Sequence, residues 1–375
     1  MKREFAIGLL LCLSILSVQA AGPASIARAE RALWPDGVAA VSDYNRASRA
    51  EALVFVNALS DLAERDDETL KATLGIKSVD RGSVKRWRDL VLTRLFENYR
   101  LARRSCVPDE AFCQPVDSPA ALVEQGRQLS SQLPARYRPW FTGADAFHRR
   151  YVGELLRLAA LFPKVSSEID SFGAHERSGL ELPDGHFLWT FDDGPTGAAG
   201  TTDALLPVLA QQGIHGMFFV LGERLQKRLQ MDGAHAVQTL YDGQCVALHG
   251  WSHETHQKSP RWQASILDTR NLVQDALGAA YRPHFRPPYG QRRADSGPFF
   301  VENGLSVALW NIDAQDWNAS LDARQAGERV LTLMLLWRRG VILFHDSHGK
   351  AAAAIPWIVA QTRDAGLSWE DCRHY

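Results

Sequence analysis

The sequence of 375 residues lacks an excess of either charge, because 42 lysines and arginines stand against 43 aspartates and glutamates. This balance excludes nucleic-acid binding through a strongly basic surface. Beyond the N-terminus, the chain also lacks an apolar run of the roughly 20 residues that a membrane span needs. Because 46% of the residues are apolar, we expect a packed globular fold, and the length predicts two domains. Partners must therefore be recognised by a site and not by overall charge.

Cysteine is scarce, with five residues in the whole chain. Four of them follow the predicted signal peptide described below, and an even number permits two disulfides in an oxidising compartment. Cys106 and Cys113 enclose a short loop and are predicted to pair. Cys245 and Cys372 are then left to each other or remain free, and a buried thiol in a strand describes Cys245 equally well.

The N-terminal residues have the three parts of a secretory signal. Two basic residues come first, the apolar run 5–16 follows, and Val18–Ala20 offer small residues for a cleavage site. The apolar run is too short to span a bilayer comfortably, which makes a retained anchor the weaker alternative. We predict a signal peptide over residues 1–20 and a secreted or periplasmic protein.

The residue pattern changes near residue 175. Residues 21–175 predict an all-helical domain, because apolar residues such as Val84 and Trp87 recur at helical spacing and no catalytic cluster is evident. Its many arginines are typical of solvated helix faces, with a cationic surface for an anionic polymer as the alternative. In residues 176–375, short apolar runs alternate with helical segments, which predicts a parallel sheet or a (β/α) barrel. Functional residues of such folds gather at the carboxyl ends of the strands.

Two clusters at predicted strand ends indicate metal-assisted chemistry. Asp192 and Asp193 are adjacent carboxylates whose side chains diverge, so one can bind a metal while the other accepts a proton. His249 and His253, spaced i and i+4, face one side of a helical turn and are suited to one metal ion. With Asp193 they give three protein ligands, the pattern of catalytic Zn²⁺. His256 is an alternative partner of His253.

Three further clusters contain residue types suited to holding charge and transferring protons. Arg286 precedes two prolines that fix the backbone, so it can hold a carboxylate in its charged form. Rigid amides nearby are suited to an oxyanion hole. The segment Asp313–Trp317 comes after an apolar run, and His345 ends another. Neighbouring carboxylates would keep such a histidine protonated as a general acid.

Taken in order, the five clusters resemble the five motifs of the polysaccharide deacetylase family, also called the NodB-homology domain or carbohydrate esterase family four. The resemblance covers residues 177–375 and implies a distorted (β/α) barrel with fewer than eight complete units. It also implies metal-dependent hydrolysis of N-acetyl groups on an N-acetylglucosamine-type polysaccharide, with release of acetate. An O-acetyl esterase and a carbohydrate-binding pseudoenzyme are the alternatives.

The resemblance assigns roles to ten residues. They are the base Asp192, the metal ligands Asp193, His249 and His253, Arg286 orienting the base, Tyr289 whose N–H binds the oxyanion, Asp313 tuning the acid, the acetyl-pocket walls Trp317 and Leu343, and the general acid His345. The metal is expected to be Zn²⁺, with Co²⁺ or Ni²⁺ as alternatives.

The sequence departs from the family in two places. Leu248 and Gly250 stand where the family usually has Asn and Ser or Thr, which removes a hydroxyl that stabilises the loop. The resemblance does not extend to residues 21–175, whose role the sequence leaves open and for which we expect an envelope-associated partner.

Overall fold

The computed structural model describes residues 25–107, 110–161, 169 and 171–375. The predicted signal peptide lies outside these described residues. Among the helices that the structure describes, none is both long and apolar enough to cross a membrane. The described chain changes from helices to a parallel sheet near the predicted position.

Long helices form the first part of the described chain, which we call the helical region. They are α1 (Val41–Ala63), α2 (Asp67–Leu74), α3 (Arg81–Arg103), α4 (Pro119–Gln132) and α5 (Arg138–Leu161). Val84 and Trp87, which predicted a helix, lie on the buried side of α3. Helix α1 is buried along most of its length because α3, α4 and α5 pack around it.

The sheet region, residues 176–375, contains parallel strands joined mainly by helices. The strands are β1 (Glu176–Arg177), β2 (His186–Asp192), β3 (Met217–Val220), β4 (Cys245–Leu248), β5 (Tyr281–Phe285), β6 (Ser306–Ala308), β7 (Ile312–Asp313), β8 (Gly340–His345) and β9 (Ser368–Trp369). The helices are α6 (Thr201–Gln211), α7 (Gly222–Asp232), α8 (Ala234–Leu240), α9 (Trp262–Leu277), α10 (Gly297–Glu302), α11 (Ala323–Trp337) and α12 (Lys350–Gln361). The strand order is β1-β6-β5-β4-β3-β2-β8-β7, and β9 pairs with β2.

The sheet curls into an incomplete barrel. Strand β7 is the last strand on one side of the sheet, and β6 lies next to the end strand β1 on the other side, yet residues 309–311 alone separate β6 from β7 in sequence. Because an extended chain advances about 3.3 Å per residue, β6 and β7 are on the order of 13 Å apart or less. The Leu309 N–H donates to the Arg177 carbonyl at one end, and the Asn311 N–H donates to the Val341 carbonyl at the other. This curl confirms the predicted distorted (β/α) barrel preceded by helices.

Helix α11 joins the two regions. All residues from Ala326 to Trp337 are buried, and α11 contacts α1 and α3 as well as α12, β7 and β8. Tyr44 Oη donates to the Met334 carbonyl at 2.8 Å, and Asn98 Nδ2 donates to the Trp337 carbonyl at 3.1 Å. A helix buried all round leaves no face for water, so the two regions share one core. The predicted domain boundary stays a proposal, and we expect the two regions to fold together.

Two disulfides are present in the described chain. Cys106 bonds to Cys113, which confirms the prediction, and Cys245 bonds to Cys372, a pairing that the sequence left open. The second bond joins the first residue of β4 to the last residues of the chain. Strand β4 leads to one of the predicted metal ligands, so this bond lies close in sequence to the site.

Candidate active site

Residues from several motifs meet at the carboxyl ends of the parallel strands. Strand β2 ends in Asp192, and the strand register places this residue beside His345 at the end of β8. Asp193 follows β2 directly, His249 follows β4, and Arg286 follows β5. Because the strands are parallel, these positions share one rim of the barrel.

The chain turns sharply after β2, at the two adjacent aspartates. Asp193 has a φ of +81°, which a non-glycine residue rarely adopts. At Gly194, a Cβ would lie 1.9 Å from Oδ2 of the buried Asp346, so glycine is required there. The turn lets the neighbouring carboxylates of Asp192 and Asp193 reach different partners.

Asp193, His249 and His253 form a cluster suited to a metal ion. One ligand atom from each residue lies within 4.8 Å of the others. Asp193 Oδ1 is buried without a hydrogen-bond partner among the described residues, 3.4 Å from His249 Nε2 and 3.5 Å from His253 Nε2. A buried carboxylate oxygen is unfavourable unless a cation or a donor satisfies it. The three side chains therefore fit a divalent ion.

The charge states of this cluster favour metal binding. Burial alone would raise the pKa of Asp193, but the neighbouring His249, with smaller contributions from His345 and His253, holds that pKa well below its usual range. Burial, together with the neighbouring His249, lowers the pKa of His253 to about 4, so this ring is neutral at neutral pH. His249 Nδ1 lies 2.8 Å from the Arg286 carbonyl. Since Nδ1 must carry the proton to donate to that carbonyl, Nε2 keeps its lone pair for a metal.

An irregular loop, and not the predicted helical turn, brings His249 and His253 together. Gly250 in this loop has a φ of +88°, and a Cβ there would lie 2.7 Å from His256 Nε2. The Ser or Thr that the family usually has would therefore clash. A hydroxyl reaches the loop from α9 instead, because Ser265 Oγ accepts the Trp251 N–H at 2.7 Å.

His256, the alternative partner of His253, supports the loop from behind. Its ring is buried and stacks on Phe285, with 4.9 Å between the ring centroids. Its Nε2 lies 3.4 Å from Ser265 Oγ, and burial lowers its pKa to about 4. The structure thus brings His249, and not His256, into the cluster with His253 and Asp193.

Asp192 is held by the buried side chain of Arg286. One guanidinium nitrogen, NH1, donates to Asp192 Oδ1 at 2.8 Å and to Thr190 Oγ1 at 2.7 Å. Arg286 Nε donates to the Ala308 carbonyl at 3.1 Å. The other carboxylate oxygen, Asp192 Oδ2, lies 3.8 Å from His249 Nε2. This ion pair orients the predicted base beside the cluster, without placing it among the three ligands.

His345 is held by Asp316, and not by Asp313 as predicted. Asp316 Oδ1 lies 2.7 Å from His345 Nδ1, and Asp316 Oδ2 accepts the His345 N–H at 2.9 Å. Burial by itself lowers the pKa of His345, but the charge and hydrogen bond of Asp316 outweigh burial. With the nearby carboxylates of Asp193 and Asp192, they raise this pKa to about 10. The ring is therefore protonated at neutral pH, as a general acid requires.

The strand register explains why the prediction for Asp313 was wrong. Asp313 in β7 pairs with Leu343, two residues before His345 in β8. Because each strand residue advances about 3.3 Å, a partner of His345 must lie further along the chain than Asp313. The Asp313 carboxylate instead accepts the Gln315 N–H at 2.8 Å and the Gln315 side-chain amide at 2.6 Å. Asp313 thereby shapes the loop that carries Asp316.

The three predicted substrate contacts differ in their exposure to solvent. The Tyr289 side chain is 56% exposed, and its ring contacts that of His253 with 4.5 Å between centroids. Trp317 is 40% exposed, directly after Asp316, whereas Leu343 is buried. The exposed Tyr289 ring beside the cluster is suited to contact with a sugar, while the roles of the three residues in oxyanion and acetyl binding stay predictions.

Sequence reasoning missed two supports of the site besides Asp316. Thr190 accepts a hydrogen bond from Arg286, and its position two residues before Asp192 places it on the same face of β2, which was a usable signal. Ser265 gave no signal in the sequence, because its contact with the loop after β4 depends on how α9 packs.

Comparisons with known proteins find sequence similarity to polysaccharide deacetylases. The family model described as Polysaccharide deacetylase matches residues 180–307. The chain is 32% identical over 180 residues to the Peptidoglycan-N-acetylmuramic acid deacetylase PdaC of Bacillus subtilis, covering 47% of this chain and 36% of that protein. It is 31% identical over 191 residues to Chitin deacetylase 1 of Saccharomyces cerevisiae, covering 49% and 60%. It is 32% identical over 184 residues to a Bifunctional xylanase/xylan deacetylase of Cellvibrio japonicus, covering 48% and 26%.

Residues 180–307 match the polysaccharide deacetylase family model, so the sheet region is similar to a polysaccharide deacetylase domain. The chain spans 36% and 60% of the lengths of the first two relatives. The family match ends at residue 307, so the placement of Asp316 and His345 rests on the structure itself.

Proposed function

We propose that this protein removes N-acetyl groups from an N-acetylated polysaccharide of the N-acetylglucosamine type and releases acetate. The observation that carries the proposal is the pair of residues at the rim beside the metal-ligand cluster. One is Asp192, held by an arginine, and the other is His345, held protonated by a carboxylate. Hydrolysis of an amide needs a base, an acid and polarisation of the carbonyl, and this rim supplies groups suited to all three. The relatives named for peptidoglycan and chitin support this class of substrate.

In the proposed reaction, Asp192 accepts a proton from the attacking water. Arg286 engages Oδ1 of this carboxylate, which leaves Oδ2 on the side of His249. A divalent ion held by the cluster would polarise the acetyl carbonyl and lower the pKa of the water. His345 then donates a proton to the departing amine from Nε2, because Asp316 engages Nδ1. The products are acetate and a free amino sugar.

Three further residues are proposed to position the acetyl group. The backbone N–H of Tyr289 would stabilise the negative charge that develops on the carbonyl oxygen. Trp317 and Leu343 would line the acetyl pocket, and Leu343 is suited to this because it lies two residues before His345 and so on the same face of β8.

We expect the activity to require a divalent metal. Treatment with a chelator should abolish acetate release, and added Zn²⁺ should restore it, with Co²⁺ or Ni²⁺ as alternatives, because the ligand set tolerates several metals. The measurement is acetate release from N-acetylglucosamine oligomers, with the metal content determined by elemental analysis. Full activity in a sample verified to be free of metal would contradict the assignment of the cluster.

An O-acetyl esterase is the second candidate, and the relative named a xylan deacetylase favours it. The same residues can cleave an ester, whose leaving group needs less help from an acid. A panel of peptidoglycan, chitin oligomers, poly-N-acetylglucosamine and acetylated xylan, with acetate as the readout, separates the two functions. A carbohydrate-binding pseudoenzyme would bind one of these polymers and release no acetate from any.

We also propose that the protein is secreted or periplasmic. Its N-terminal sequence supports export, and the two disulfides are typical of an oxidising compartment. The polysaccharide is the proposed partner. An envelope-associated partner of the helical region is a further proposal that rests on the sequence alone.

We expect Asp316→Asn to move the alkaline limb of the pH profile to lower pH. Loss of the carboxylate removes the charge that raises the pKa of His345 to about 10. Since the general acid acts only while protonated, turnover should then decline earlier as the pH rises. The control is Asp295→Asn, which alters an exposed carboxylate outside this loop, and the measurement is kcat against pH for both variants. An unmoved limb in Asp316→Asn beside a shifted limb in Asp313→Asn would restore the role that the sequence predicted for Asp313.

A further inference from the structure

A buried ion pair joins the helical region to α11. Arg329 NH2 lies 2.8 Å from Glu154 Oε2 in α5, and both side chains are more than nine-tenths buried. Arg329 NH1 also donates to the Ala27 carbonyl at 3.1 Å, and the Ala27 N–H donates to Glu154 Oε1 at 2.6 Å. A buried ion pair is weak evidence for a gain in stability, because desolvation of both charges opposes their attraction. The other contacts of Arg329 indicate a different role.

The remaining guanidinium nitrogen of Arg329 contacts the loop of the active site. Nε donates to the Asp313 carbonyl at 2.9 Å. The Asp313 carboxylate holds Gln315, whose φ of +55° is uncommon for a residue other than glycine. The next residue is Asp316, which holds His345. The contacts therefore run without a break from a helix of the helical region to the proposed general acid.

We propose that Arg329, fixed by Glu154, is a positioning residue that keeps the 313–316 loop in the conformation in which Asp316 holds His345. The proposal rests on the proposed function, and it gives the helical region a part in the reaction. A backbone conformation such as that of Gln315 persists only where the surroundings fix it. The planar guanidinium suits this task, because it binds the carboxylate and the loop carbonyl at once in a fixed geometry.

The first test is Arg329→Lys, alone and combined with Asp316→Asn. The lysine keeps a positive charge for Glu154 but loses the donor to the Asp313 carbonyl. We expect kcat for acetate release to fall about tenfold or more, because a misplaced catalytic group loses rate, while KM and metal content stay unchanged. In the Asp316→Asn background the same substitution should change kcat less than about twofold, since His345 has already lost its partner.

The second test is the double substitution Glu154→Met with Arg329→Met. It replaces both charges by apolar side chains, a change that buried pairs commonly tolerate, and it should reproduce the loss of kcat. The control is Arg324→Met on the same helix, whose partner is Glu328, and it should leave kcat unchanged.

Three outcomes overturn the proposal. They are an equal loss of kcat in both backgrounds, an unchanged kcat in Arg329→Lys and in the double variant, and a loss of the fold in both as judged by circular dichroism. A parent chain that binds metal but releases no acetate from any polymer would instead refute the proposed function.

Discussion

Asp192→Asn should keep about one metal ion per chain while turnover falls by ~10²–10⁴-fold, the usual contribution of a general base. Asp192 is not one of the three clustered ligands, and its carboxylate pairs with Arg286. Asparagine keeps the size of the side chain and one oxygen for Arg286, but it cannot take a proton from water. Arg286→Ala should resemble Asp192→Asn, because it releases the same carboxylate from its orientation.

Asp193→Asn is the matched comparison, since it alters the neighbouring residue by the same chemical change. It removes the charged ligand, so metal affinity should fall, and excess metal should restore part of the activity. The measurement is metal content by elemental analysis beside kcat for each purified variant. If Asp192→Asn lost the metal while Asp193→Asn kept it, Asp192 would be the metal ligand and Asp193 the base. Unchanged turnover in both variants would refute the proposed function.

Deletion of the helical region should prevent the sheet region from folding. Trp337 of α11 packs its ring on Phe55, with 5.8 Å between centroids, and its Nε1 donates to Tyr151 Oη at 3.1 Å. A fragment of residues 176–375 would expose this face of α11 and leave Arg329 without Glu154. Each large apolar side chain exposed to water costs roughly 1.5–3 kcal/mol. Exposing a few such side chains therefore costs as much as the whole free energy of unfolding of a domain, which is on the order of 5–15 kcal/mol.

The fragment should show no cooperative thermal transition, no near-ultraviolet circular dichroism of a packed core and no bound Zn²⁺. The control is the chain of residues 25–375, which lacks the predicted signal peptide and keeps both regions. A fragment that unfolds cooperatively and binds one metal ion would show that the sheet region is an independent domain. In that case the division predicted near residue 175 would describe folding as well as sequence pattern.

The sequence was sufficient to predict the strand-end positions of the site. Each motif couples an apolar run to polar residues, as β4 does with His249, and parallel strands bring such ends to one rim. The partner of His345 was not predictable in this way. It depends on the register between β7 and β8, which follows from pairing across the sheet and not from local spacing.

The support of the site by distant helices was also outside the reach of local patterns. The apolar stretch 330–337 predicts that α11 is buried, but not against what. Arg329 and Glu154 are 175 positions apart, and nothing near either residue indicates the other. The same holds for Ser265, whose hydroxyl replaces the one that Gly250 cannot supply.

The bond between Cys245 and Cys372 makes the end of the chain part of a covalent ring, with a sequence separation of 127. In the chain-entropy model, closing so long a loop restricts the unfolded chain by about 5 kcal/mol. His249 and His345 lie inside this ring, whereas Asp192 and Asp193 lie outside it. Reduction of this bond would therefore remove a restraint on the segment that carries the two histidines, whereas the segment that carries the two aspartates is not restrained by it. The thiol redox state of the surroundings thus becomes a determinant of how readily the rim reassembles after each unfolding event.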